Sequence, residues 1–311
     1  MKFGATIVAL LVALSGCATS PEQRELLAVT PFPELTDVPF FAQEDYQCGP
    51  AALATVLAHD GVEVTPDRLA SRIFVPERLG SLQAELLSAT RSHGRVPYLL
   101  PGSPFSMIEE VRAGRPVLLL QNLGFERWPV WHYAVLVGFD SEEQDFLLRS
   151  GTVRRHAVHA RRLLASWRRA GRWAMVVVPA SEPPDSADAL GWLRAVAPFE
   201  STGNLDIAAE GYVAGVKRWP QDPLVWTALG NVRYLQQDLS SAEKAYVQAL
   251  ALSPGHWTAR NNLVRTLIAR GCPELAQQWI PDAGAPPAGF AATWNSTLDD
   301  LAAADENRCA T

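Results

Sequence analysis

The chain has 311 residues with 48% hydrophobic and 19% charged side chains, which excludes a disordered polypeptide and allows two domains with cores of their own. Its formal net charge is −6, and no basic block or stripe occurs, so a nucleic-acid partner is not expected. No Cys-x-x-Cys or His-Glu-x-x-His spacing is present, so neither a protein-bound metal nor another cofactor is expected.

The first segment reads as a targeting signal. Lys2 precedes an apolar run from Ile7 to Leu14 that is too short to span a bilayer. Leu14-Ser15-Gly16-Cys17 resembles a bacterial lipobox, and the resemblance implies a signal peptide over residues 1–16 and lipidation at Cys17. An ordinary cleaved signal peptide is the plainer alternative. Ala18, where an aspartate would favour the inner membrane, points to an outer-membrane lipoprotein facing the periplasm. Residues 17–34 then read as a tether. In that oxidising compartment Cys272 and Cys309 either pair or remain as a buried thiol and a tail thiol.

A strand is expected over Asp37–Phe41, followed by the stretch on which the rest depends. Cys48 precedes Gly49-Pro50, and Pro50 suits the first turn of a helix, where its missing N–H costs nothing. Leu53, Val56 and Leu57 supply an apolar stripe at helical spacing, and Gly61 stands where the helix would end. A cysteine at a helix N-terminus meets free N–H groups and the positive end of the dipole, so a depressed thiol pKa is expected. The bland alternative is a small buried hydrophobe. Gln43, five residues upstream, is a candidate donor to an oxyanion.

Further helices are predicted from Thr65-Pro66, over Ser81–His93 with Leu82, Leu86 and Ala89 on one face, and from Ser103-Pro104 to Gly114. Strands follow at Pro116–Leu123, His132–Phe139, Asp145–Arg149 and Trp173–Pro179. Trp128 and Trp131, just before His132, would either line a cleft or pack on the sheet edge. The Arg-rich stretch 154–169, which carries His156 and His159, reads as a solvated connection and helix. Helices first and then a sheet is an α+β order.

The segment Gln43…Cys48-Gly49-Pro50-Ala51-Ala52, followed by His132-Tyr133-Ala134-Val135-Leu136-Val137-Gly138-Phe139-Asp140, resembles the papain-like cysteine peptidases related to bacteriocin-processing (double-glycine leader) peptidases. The resemblance covers residues 35–180. It implies Cys48 as nucleophile, His132 as general base and acid, and Gln43 as oxyanion-hole donor. In this family an Asp or Asn on the following strand usually orients the histidine. If 132–139 and 145–152 form a hairpin about Glu142, His132 faces Thr152 and Ser150 lies on the same face. Asp140 is eight residues along, about 26 Å away, and cannot reach. Alignment of the motif also places Ser150-Gly151 at the acidic position, so Ser150 is the expected orienting residue.

Residues 181–188 are a Pro/Ser/acidic linker, from which a peptidase unit ending near Pro183 is expected to fold alone. Beyond it a period of 34 residues recurs over 189–290. Trp226, Leu229, Gly230, Ala242, Tyr246, Ala249 and Pro254 match the tetratricopeptide pattern, with Trp192, Ala208 and Tyr212 one period before and Leu263, Ala276 and Ile280 one period after. The resemblance implies an all-α repeat domain that binds a protein partner, against the alternative of a rigid spacer. Residues 291–311 form an acidic tail with room for a short helix. The expected activity is hydrolysis of peptide or amide bonds in a peptide or protein substrate. Its rivals are a non-catalytic peptide-binding lipoprotein and a thiol-dependent amidase or transferase on the same fold.

Overall fold

The computed structural model describes residues 22, 26, 28–30, 32–42, 47–74, 80–280, 285–304 and 309. The signal peptide, Cys17 and Gln43 lie outside the described residues. Short apolar runs between turn residues form one antiparallel sheet: β1 (Val96–Leu99), β2 (Val117–Asn122), β3 (Trp131–Asp140), β4 (Asp145–Ser150), β5 (Val153–His159) and β6 (Ala174–Val178). Their spatial order is β1-β6-β2-β3-β4-β5.

The two-residue period of a strand sorts the side chains onto two cores. Leu118, Leu120, Tyr133, Val135 and Val137 face α1 (Cys48–His59), α2 (Pro66–Ile73) and α3 (Gln83–Ser92). Val117, Leu119, Ala134 and Leu136 face α4 (Pro104–Arg112) and α5 (Ala160–Arg169). The helix carrying Cys48 therefore packs on the sheet that carries His132, as the α+β expectation requires.

The β3–β4 hairpin has a change of register inside it. Phe139 pairs with Phe146 and Gly138 with Leu147, but Leu136 pairs with Leu148 and Val135 with Arg149. A β-bulge at Val137 shifts the ladder by one residue. Leu35 N–H donates to Val137 O at 2.9 Å, so the incoming chain caps the bulge. Arg149, only 3% exposed, holds that chain by bonding Glu34, Leu35 O and Arg154 O.

Three expectations need correction. Residues 37–41 form turn and coil rather than a strand, since Pro39 has no N–H for a ladder and the carbonyls of Leu35 and Val38 accept from Arg149 instead. The stretch 153–159 is the edge strand β5, not a solvated connection, and only 160–169 is helical. Leu82 caps α3 from outside and is exposed instead of lying on its buried face.

The second half is an all-α repeat domain of helix pairs that follow the 34-residue period. They comprise α6 (Ala189–Val196), α7 (Pro198–Ser201) and α8 (Leu205–Arg218), then α9 (Pro223–Leu235) with α10 (Leu239–Leu252), then α11 (Trp257–Ala269) with α12 (Pro273–Gln277). A Cβ on Gly230 would lie 2.5 Å from the Tyr246 ring, which explains the Leu-Gly pair of the repeat. The tail holds α13 (Ala291–Ala302), whose Trp294 packs edge-on to Trp257 at 5.4 Å. Cys272 and Cys309 form a disulfide that ties the tail down.

The linker is pinned. Glu110, buried, accepts from Ser186 N–H, and Arg115 bridges Glu110 and Asp185. The core that begins at Val96 and Tyr98 continues through Trp192, Phe199 and Tyr212 without a break. A chain ending near Pro183 would leave that face of β1 uncovered, so the repeats support the sheet, contrary to the expectation of an independent first unit.

Candidate active site

Cys48 is the first residue of α1, and its N-cap Gln47 makes no side-chain bond to the helix. The first backbone N–H groups of α1 thus open around the thiol. Gly49 is required here, because a Cβ would meet Ser81 Oγ at 2.7 Å and push the helix start away from Ser81. The sulfur accepts backbone N–H bonds from Tyr133, Gly49 and Cys48 itself. Because Tyr133 N is bonded to His132 C, this contact places His132 Cα within about 6 Å of the sulfur.

The electrostatics differ from the sequence expectation. Burial pushes the Cys48 thiol up from its ordinary value, and the three N–H groups pull it down by less. The helix N-terminus acts in the expected direction, but desolvation of the thiolate is the larger effect. The imidazole of His132 is lowered, first by burial and then by the neighbouring His156. Both shifts favour the uncharged form of the group. Alkylation of Cys48 by iodoacetamide should therefore show a midpoint above the ordinary thiol value of about 8.5. In the Cys17→Ser protein, with Cys272 and Cys309 bonded, the label reads Cys48 among the four cysteines. A midpoint below neutrality would contradict this account.

The structure brings Ser150 to His132. Nε2 of His132 and Oγ of Ser150 are 2.8 Å apart. The bulge makes this contact. With Val135 opposite Arg149, Ser150 falls opposite Ala134, on the face His132 shares at a spacing of two. Without the shift at Val137, Ser150 would face with Val135 toward α1 instead. Asp140 is at the far end of β3, where its carboxylate accepts from the N–H groups of Glu142 and Glu143 and closes the turn.

A cleft of about 480 Å3 opens on the α5 side of His132, lined also by Ser150, His156, Gln121, Leu123 and Arg162. Cys48 does not line it. The sequence reading passed over His156, since an edge strand exposed on both faces leaves no periodic signal. Trp128 and Trp131 line neither this cleft nor the sheet edge. They are 73% and 54% exposed, in a hairpin where Leu123 N–H donates to Val130 O and Asn122 Oδ1 accepts from Gly124 and Val130.

Among the described residues no group of three or more His, Cys, Asp or Glu is arranged to hold a metal ion. Comparison with curated proteins finds no match. Among solved structures, a putative C39-like peptidase from Bacillus anthracis is 18% identical, covering 49% of this chain and 98% of that one with a TM-score of 0.40. A double-glycine motif protease from an AMS/PCAT transporter, in complex with the leader peptide, is 20% identical over 48% of this chain and 96% of that one, at a TM-score of 0.37. The first TPR of Spaghetti (RPAP3), bound to an HSP90 peptide, is 17% identical over 37% of this chain and 95% of that one, at 0.28. The model of the Peptidase_C39 like family matches residues 35–175, the span that contains Cys48, His132 and Ser150. Residues 35–175 of this chain are thus similar to the Peptidase_C39 like family.

Proposed function

We propose that the protein is a cysteine peptidase, with Cys48 as nucleophile, His132 as general base and acid, and Ser150 as the residue that orients the imidazole. The observation that supports the reading is the hydrogen bond from Tyr133 N–H to the Cys48 sulfur, which keeps the backbone of His132 near a thiol at an uncapped helix N-terminus. Nε2 is engaged by Ser150, so proton exchange with the thiol falls to Nδ1, and the neutral imidazole carries its hydrogen on Nε2. As Sγ attacks the scissile carbonyl carbon, its proton passes to Nδ1. The N–H of Cys48 and the side-chain amide of Gln43 receive the oxyanion. The imidazolium then protonates the leaving amine, leaving a thioester on Cys48. Water, deprotonated by the imidazole, hydrolyses that ester and regenerates the thiol. Digestion of a peptide library by the wild type, with no new termini from Cys48→Ala, tests the activity.

The repeats would recruit a protein partner, and a groove of about 340 Å3 beside Asn231, Tyr234, Asn262 and Arg265 offers polar groups for one. An amidase or transferase would use the same steps with another acceptor. A binding role without catalysis is supported by the raised thiol and the uncharged Ser150, both of which disfavour a thiolate–imidazolium pair.

We also place the protein on the outer membrane, facing the periplasm and anchored through Cys17. The lipobox supports this, and the Cys272–Cys309 disulfide is of the kind an oxidising compartment maintains. The wild type should partition into detergent, and Cys17→Ser should not. Equal partition of the two would remove the anchor.

A further inference from the structure

We propose that the hairpin between β2 and β3 is a membrane-contact element, which rests on the reading of Cys17 as a lipid anchor and holds the His132 cleft at the bilayer surface. The hairpin carries Leu123, Phe125, Trp128, Val130 and Trp131, each more than half exposed, with Phe125 reaching 77%. Large apolar side chains clustered and left open to water on a single hairpin have a specific use in a stable fold.

The turn is also fixed in shape. Asn122, buried, accepts from Gly124 and Val130 N–H, and Phe125 N–H donates to Trp128 O. A Cβ on Gly124 would lie 2.3 Å from Trp128 O, so the tight closure needs glycine. Aromatic side chains on a rigid tip insert at a lipid interface without a large ordering cost, and tryptophan favours the headgroup level.

The tether says what covers the tip. Glu22 pairs with Arg172 at 2.7 Å, and Leu26 is fully buried in the core, so the chain is held to the domain from these residues onward. Glu22 is only five positions after Cys17, a reach of at most about 18 Å. Arg172 is followed by Trp173, whose carbonyl accepts from Leu120 N–H, and Leu120 is three residues, about 10 Å, before Leu123. The exit of the tether and the aromatic hairpin therefore lie at one end of the sheet. A lipid on Cys17 brings that end to the bilayer. Arg127, Arg168 and Arg169 stand at the same end, and Arg169 donates to Asn122 O, which suits anionic headgroups. The substrates favoured by this placement are polypeptide segments exposed at the membrane surface.

The test is sedimentation of the mature chain, residues 17–311 with Cys17→Ser and no lipid, with vesicles of mixed phosphatidylethanolamine and phosphatidylglycerol. This chain is expected to bind, and the added pair Phe125→Ser and Trp128→Ser should weaken binding by about tenfold or more, less than two inserted aromatics would supply. Failure of the unlipidated chain to bind, or equal binding by the variant, overturns the proposal. So does a variant that binds vesicles normally but loses cleavage of a soluble peptide, since the hairpin would then be a peptide subsite. Detergent partition of the lipidated wild type reports on Cys17 alone, so failure of the anchor and failure of the hairpin are read separately.

Discussion

His132→Ala is expected to lower kcat/KM for peptide hydrolysis by about 10²–10⁴-fold, the usual worth of a positioned general base. The helix carrying Cys48 should stay in place, because the thiol is held by backbone N–H groups and the substitution leaves the peptide link intact. Ser150→Ala should cost only a few-fold, since a hydroxyl orients the imidazole but brings no charge to stabilise the imidazolium. Asp140→Asn should change activity little, because that side chain closes the distant turn. The pH profile follows from the sign of the shift. A lowered imidazole pKa keeps His132 neutral to a lower pH than usual, so the acid limb of kcat/KM should lie below the ordinary imidazole value. His156→Asn removes the smaller of the two causes and should move that limb slightly upward. Loss of activity in Asp140→Asn with the fold intact would overturn both the register and the assignment.

Arg149→Ala should destabilise the protein by about 3–5 kcal/mol in urea unfolding, the range for removing one partner of a buried ion pair. Arg149 is almost wholly buried, and its loss leaves one Glu34 oxygen and the carbonyl of Leu35 without their donor. Arg155, exposed and bonded to the other Glu34 oxygen, makes the control, since its removal should cost under about 1 kcal/mol. Burial raises the Glu34 pKa, but the bonds to Arg149 and Arg155 outweigh it, and the net shift is downward. The pair therefore stabilises the fold above the usual glutamate range, and the contribution is lost as pH falls through the lowered value. The effect reaches the site through the bulge. Leu35 caps Val137, the bulge sets the register of Ser150, and a loosened strap should cost Arg149→Ala activity as well as stability.

The parts of this fold that could be read from the sequence are those with a strong local rule. Pro50 at a helix start, the Leu53–Val56–Leu57 stripe and the valine-rich strands each follow from sterics or from a fixed period. The expected pairing of His132 with Thr152 extends the register seen at Val135–Arg149, although the ladder nearer the turn runs one residue out of step. That bulge depends on Leu35, about a hundred residues away, and has no local signature. β5 has no sequence signal because an edge strand exposed on both faces shows no alternation, and in β1 four residues with a proline carry too little pattern. The direction of the thiol shift is not legible in the sequence for a different reason. The helix dipole can be inferred from Gly49-Pro50, whereas the burial that outweighs it comes from β3 packing over α1.

The most direct test of Cys48 and His132 as a catalytic pair is rapid-quench intact-mass spectrometry during hydrolysis of an activated peptide ester. The account predicts a transient acyl adduct that maps to the peptide containing Cys48, absent in Cys48→Ala and formed much more slowly in His132→Ala. Ester or peptide turnover by Cys48→Ala at the wild-type rate, or saturable peptide binding by the wild type with no adduct and no cleavage, would contradict it.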